Sequence, residues 1–211
     1  MLDDYLTIRK NGEHEIVIQK SRFICTVIRA ETEQEAQDFI AKVKKKNWDA
    51  THNCSAYLIG ERSEFQKAND DGEPSGTAGV PMLEVLKKRN LKNVAVTVTR
   101  YFGGTKLGAG GLVRAYGGAV SEALNSIGIV ERKLATLISF TISYSQLGKF
   151  ENLLSQKGYE IAEKEFTDEV TLSVFVDQAD IENFTLWMTE VSNGQVTCQL
   201  GEKKYHEKDV S

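Results

Sequence analysis

The segment Arg100 to Ala119, RYFGGTKLGAGGLVRAYGGA, carries seven glycines in twenty residues together with three cations, Arg100, Lys106 and Arg114. It lies where an apolar run, NVAVTVT, gives way to a helical pattern. Glycines at such a junction expose backbone N–H groups beside a helix N-terminus, and that arrangement holds anions. Two specific phosphate motifs fail on their own spacing. Gly103 and Gly108 are set as in a P-loop, but Ala109 and Gly110 stand where Lys and Ser/Thr are required; Gly108 and Gly110 open a dinucleotide fingerprint, but Val113 replaces its third glycine. Gly104 and Gly111 complete the block, and the competing reading is that all of these glycines serve positive φ and close packing. Tyr101 and Phe102, between Arg100 and Lys106, interleave rings with cations, a combination suited to nucleic-acid bases and phosphates.

A second cluster is acidic. The stretch NDDGEPSGTAG holds Asp70, Asp71 and Glu73. Carboxylates this close bind a hard cation such as Mg²⁺, act as acid and base, or fold back on the backbone in an Asx-turn, with Ser75 or Thr77 capping the next helix. No EF-hand pattern and no second carboxylate cluster accompanies them. His52 and Cys54 in ATHNCSAYL are two apart on a strand and share a face. No orienting third group makes them a nucleophile–base triad, and the three histidines are too dispersed for zinc. These residues assign no catalytic side chain, no metal and no cofactor. They outline a groove: the glycine block with Arg100, Tyr101, Lys106 and Arg114 on one wall, His52, Asp70, Asp71 and Glu73 approaching from the other.

The elements that must position these groups follow from periodicity. YLTI, EHEIVIQ and RFICTVI read as short strands separated by turns. Thr32 and Glu35 form a capping box for a helix with Ala36, Phe39, Ile40 and Val43 on one face. NCSAYLIG and SEFQKA are strands, VPMLEVLKKRN a helix, NVAVTVTRYF a strand, and Leu112 to Ile127 a helix that Gly128 stops. From Thr136 the pattern restarts as strand, helix, hairpin strands across Thr167 and Asp168, helix, and a last strand in GQVTCQLGEK. That order is βαββαβ, the ferredoxin-like arrangement. The expected class is α+β with two domains, residues 1–134 and 135–211, the boundary near ERKLA.

Composition limits the rest. The 41% hydrophobic and 27% charged content is that of an ordinary globular chain, and no apolar run approaches the roughly 18 residues of a membrane span. The acidic start lacks the order of a signal peptide. Three scattered cysteines with no CxxC pair point to a reducing, cytoplasmic setting. The net charge of −4 is split: residues 1–134 carry 20 basic and 17 acidic side chains, residues 135–211 carry 6 and 13. The second half is therefore expected to meet a protein partner or set orientation, since its charge repels a nucleic-acid backbone.

Three segments, ATHNCSAYLIG, NDDGEPSGTAGVPMLEVL and VTRYFGGTKLGAGGLVRAYGGA, resemble signature stretches of the IMPACT family, in particular its bacterial YigZ-type members. The second half is similar to the small C-terminal domain those members carry. The resemblance implies a first domain of the ribosomal-protein-S-five second-domain type, a sheet with helices on one face, followed by a ferredoxin-like domain. The tandem is similar to the fourth and fifth domains of elongation factor G. It implies a translation regulator that contacts RNA or the ribosome; a small-molecule or nucleotide-phosphate-handling enzyme using the same groove is the alternative. The longer eukaryotic members resemble regulators that compete for a kinase-activating partner through a module not seen in this sequence, so that partner is not implied.

Overall fold

The computed structural model describes residues 4–60 and 62–210 of the chain. It divides into two compact units, one running to Glu131 and rejoined by Lys208 onward, the other Arg132–Glu207.

The first unit contains β1 (Asp4–Ile8), β2 (Gly12–Ile18), β3 (Ser21–Arg29), α1 (Glu33–Lys46), β4 (His52–Ile59), β5 (Phe65–Asn69), α2 (Gly79–Lys88), β6 (Val94–Tyr101) and α3 (Gly108–Ile127). Five strands pair in the order β2-β3-β6-β4-β5, every neighbour antiparallel. In β6, seven consecutive residues from Val94 to Arg100 are buried, as are the seven of β4 after His52. A strand without a polar side must be covered on both faces, and these two are. Phe23, Cys25, Val27, Cys54, Ala56, Leu58, Val96 and Val98 meet α2 and α3 in the main core. Tyr57, Ile59 and Ala95 meet α1 through Ala36, Phe39 and Ile40 on the other side. The helices therefore do not share one face, as the resemblance implied. The continuous apolar runs of β4 and β6 require the second layer.

The helix caps differ in detail from expectation. Thr32 Oγ1 accepts from the Glu35 N–H at 3.2 Å, but Glu35 reaches the N–H of Glu31, one residue before the cap. Neither Ser75 nor Thr77 caps α2. Thr77 Oγ1 donates to the Pro74 carbonyl, and the Asp70 carboxylate takes the N–H groups of Gly76, Ala78 and Gly79 instead. A carboxylate offers about four acceptor positions where a hydroxyl offers two, so it can serve three donors at once.

The second unit holds β7 (Ile129–Ile142, which carries the chain across the boundary), α4 (Leu147–Lys157), β8 (Ile161–Phe166), β9 (Val170–Asp177), α5 (Ile181–Val191) and β10 (Gln199–Asp209). The sheet runs β7-β9-β8 with β10 on β7, which gives the βαββαβ ferredoxin-like topology. Ile138, Phe140, Phe150, Leu154, Leu172, Val174, Phe184 and Met188 form its core. The last strand starts later than its apolar pattern suggested. Val196 is buried but lies before β10, whose own sequence, QLGEKKYHEKD, is mostly exposed. An exposed edge strand shows no buried alternation to read, and charges there discourage pairing with other chains.

Candidate functional site

The ends of β3, β4 and β6 come together where α3 begins. In register, Phe23 and His52 both lie opposite Arg100, so the three side chains share the face toward α3. Arg100 is buried, 5% exposed, and its Nη1 donates to Glu73 Oε1 at 2.6 Å. Tyr116, from the third turn of α3, donates its hydroxyl to the same oxygen at 2.7 Å. His52 Nε2 lies 3.8 Å from the other oxygen. The Arg100 guanidinium lies over both Phe23 and Phe102, each ring centroid 5.5 Å away, and Phe23 meets Tyr116 edge-to-face at 5.3 Å. One polar atom is left over: Arg100 Nε is buried with no hydrogen-bond partner.

The loop of residues 70–78 is held by three bonds to β4 and one to α1. His52 Nδ1 donates to the Asp71 carbonyl at 2.8 Å, which fixes the ring with Nε2 toward Glu73. Cys54 Sγ donates to the Asp70 carbonyl at 3.0 Å. The Asp71 carboxylate accepts from the Asn53 N–H at 2.7 Å and from Lys44 at 2.6 Å. Burial pushes the Asp70 carboxyl up, yet its three backbone donors outweigh that and hold it below the ordinary carboxylate value. Burial is also the main cause that raises the Cys54 thiol to about 12 and the Tyr116 hydroxyl well above its usual range. Both stay protonated at neutral pH, so Cys54 is no nucleophile here.

Beside this cluster is a cavity of about 420 Å³ lined by Thr51, His52, Glu73, Pro74, Arg100, Phe102, Lys106, Leu107, Gly108, Ala109 and Leu112. Of the residues singled out in the sequence, His52, Glu73, Arg100, Lys106 and Gly108 are on its wall. Asp70 and Asp71 are taken up by loop and helix structure. Tyr101 is on the opposite sheet face, its hydroxyl near Asn47 and Asp49. Gly110 and Arg114 are exposed within the first two turns of α3. Gly103 packs where a Cβ would come 2.0 Å from the Lys20 backbone; Gly111 packs against Leu107. Gly104 and Gly108 have φ of +87° and +70° with open space around them. Packing accounts for Gly103 and Gly111 and positive φ for Gly104 and Gly108, while neither requires a glycine at 110. Tyr116 was legible only as a helix core position; no local signal ties it to Glu73, 43 residues away. Phe102, 46% exposed at the cavity, was visible as an aromatic between cations.

The cavity's polar edge is rich in donors. Lys106 is exposed and makes no hydrogen bond or ion pair among the described residues. The N-cap of α3, Leu107, supplies no side-chain bond, and the first turn has no acidic residue. Its opening N–H groups are available to an anion. Glu73 is the one carboxylate in the lining, and Arg100 and Tyr116 occupy one of its oxygens. Among the described residues no cluster of three or more His, Cys, Asp or Glu side chains is arranged to hold a metal, and no helix is long and apolar enough to cross a membrane.

The fold and site define a two-unit α+β protein with a cavity in its first unit lined by Arg100, Lys106 and Glu73. The profile of the Impact N-terminal domain matches residues 19–124, and that of a domain of unknown function, DUF1949, matches residues 140–195. The chain belongs to the IMPACT family, as its three motif segments indicated. It is 57% identical over all of its length, and 97% of the relative's, to the IMPACT family member YvyE of Bacillus subtilis. It is 35% identical to YigZ of Escherichia coli over 85% of this chain and 89% of that one. A solved crystal structure of a hypothetical protein covers 96% of the chain and 98% of its own at a TM-score of 0.60 and 32% identity.

Proposed function

We propose that the chain is a translation-associated regulator that contacts RNA, free or in the ribosome, through the cavity of its first unit. The observation that carries this is the donor-rich edge of the cavity: buried Arg100, Lys106 with no partner among the described residues, and the uncapped start of α3, with Phe102 half-exposed beside them. Phosphate oxygens fit the donors and a base fits the ring. The second unit, with its acid excess, sets orientation or meets a protein partner.

The overall charge of −4 works against non-specific attraction, so affinity is modest and dependent on salt. The test is binding of single-stranded RNA and of ribosomes at several salt concentrations, for the natural chain and a Lys106→Ala/Arg114→Ala variant. Both side chains are exposed, so the fold is kept. The expected slope of log affinity against log salt falls by about 0.7 for each phosphate that the variant no longer neutralises. Equal affinities and equal slopes for the two proteins would remove the proposal.

A further inference from the structure

We infer that the cavity takes the terminal phosphomonoester of a nucleotide, at the end of an RNA strand or free in solution, with the phosphate at the first turn of α3 and the base against Phe102. This rests on reading the cavity as the anion-binding part of the groove; what it adds is a preference for an end over the interior of a chain.

Shape is the first argument. A space of about 420 Å³ is in the range of small-ligand sites, roughly 300–1,000 Å³. Three separate segments wall it: Thr51 and the start of β4, the 70–78 loop through Glu73 and Pro74, and the stretch from Phe102 into α3. A phosphate inside a strand needs room for chain on both sides. A terminal phosphate needs an opening on one.

Donor supply is the second argument. Arg100 is 5% exposed, lies on the wall, and keeps Nε without a partner. Lys106 and the first N–H groups of α3 add donors from the other side. A monoester carries about −1.5 to −2 charge near neutral pH against −1 for a diester, and offers three terminal oxygens. Glu73 balances Arg100, so the free positive charge comes from Lys106 and the start of α3, and both attract a dianion more strongly than a monoanion.

The glycines supply the third argument. A Cβ at Gly108 would meet nothing within 4 Å and one at Gly110 only the tip of Arg114 at 3.7 Å. The start of α3 is therefore open to an approaching ligand, where Gly103 and Gly111 are closed by packing. Phe102, with Arg100 against its ring, gives a base a platform at the same cavity.

The test uses the full chain and short single-stranded RNAs of one sequence with 5′-phosphate, 3′-phosphate or hydroxyl ends, plus nucleoside monophosphates and inorganic phosphate as competitors. A phosphorylated end is expected to bind about tenfold more tightly than the hydroxyl-ended strand, the gain of one or two charge-assisted bonds, and monophosphates are expected to displace it. Ala109→Glu supplies a second arm. Ala109 is exposed on the first turn of α3, where a carboxylate suits the helix dipole and the fold is kept. This variant is expected to lose the end preference, so that phosphorylated and hydroxyl-ended strands bind alike, both more weakly than to the natural chain. If hydroxyl-ended RNA binds as tightly as phosphorylated RNA, the end preference is wrong and the broader RNA reading stands. If monophosphates bind and no RNA does, the pocket is upheld for free nucleotides and the RNA reading falls. If nothing binds, both are overturned.

Discussion

Arg100 and Glu73 form an ion pair at 2.6 Å with their side chains only 7% and 3% exposed, although they come from a strand and a loop 27 residues apart. Tyr116 donates to the same carboxylate from α3, so this one group ties sheet, loop and helix together. Removing one member of a buried pair strands the other's charge. Arg100→Met is expected to cost about 3–5 kcal/mol, and Glu73→Gln/Arg100→Met to recover part of that loss. Denaturant unfolding of the three proteins measures it. A single substitution that costs under about 1 kcal/mol would mean that water reaches the pair.

Asp70 caps α2 from eight or nine residues upstream through the N–H groups of Ala78 and Gly79. Asp70→Ala is expected to lower stability by about 1–2 kcal/mol. The folded carboxyl lies below its ordinary value of 3.8 because its backbone donors outweigh burial. The linked stability is present in full above that value and is lost as pH falls through the folded one. The gap between the natural chain and the variant should therefore be constant near neutrality and shrink below about pH 4. A gap that widens on acidification contradicts the cap.

Two glycines of the same block should respond with opposite sign. Gly110 has ordinary helical backbone and open space, so Gly110→Ala is expected to stabilise by about 0.5–1 kcal/mol. Gly103→Ala places a Cβ 2.0 Å from the Lys20 backbone and is expected to destabilise by more than that. Thermal melts of the two variants decide it. If both destabilise, the space beside Gly110 is closed in solution.

The thiols should separate by burial. Cys25 and Cys54 are fully buried, and burial raises both, Cys54 to about 12. Cys198 is half-buried. In the native protein at neutral pH an alkylating reagent is expected to label Cys198 alone on a short timescale, with the other two labelled after unfolding. Peptide mass spectrometry reads the order. Early labelling of Cys54 would contradict its bond to the Asp70 carbonyl.

Much of the fold was written in runs and periods. The apolar stretches that became β4 and β6, the spacing from Leu112 to Ile127, and the βαββαβ order all follow from local sequence. Other features have no local trace. The polar edge strand β10 shows no buried alternation, so only Val196 and its neighbours invited a strand, five residues too early. Glu73 reads as one of three loop carboxylates until its distant partners are known. Asp70 and Asp71 look equally suited to chemistry, yet backbone N–H groups and a lysine occupy them both. Side chains that meet across long separations carry the site, and a linear pattern does not record such meetings.

Arg9 ends its strand's turn in an ion pair with Asp209 at 2.6 Å, and the Val210 N–H donates to the Ile129 carbonyl. Both partners belong to the first unit, yet all of Arg132–Glu207 lies between them in the chain. On a ribosome, the first unit emerges early but cannot gather this last piece until the whole intervening unit has been synthesised. Neither unit can therefore be completed before the last strand, Gln199–Asp209, has been made.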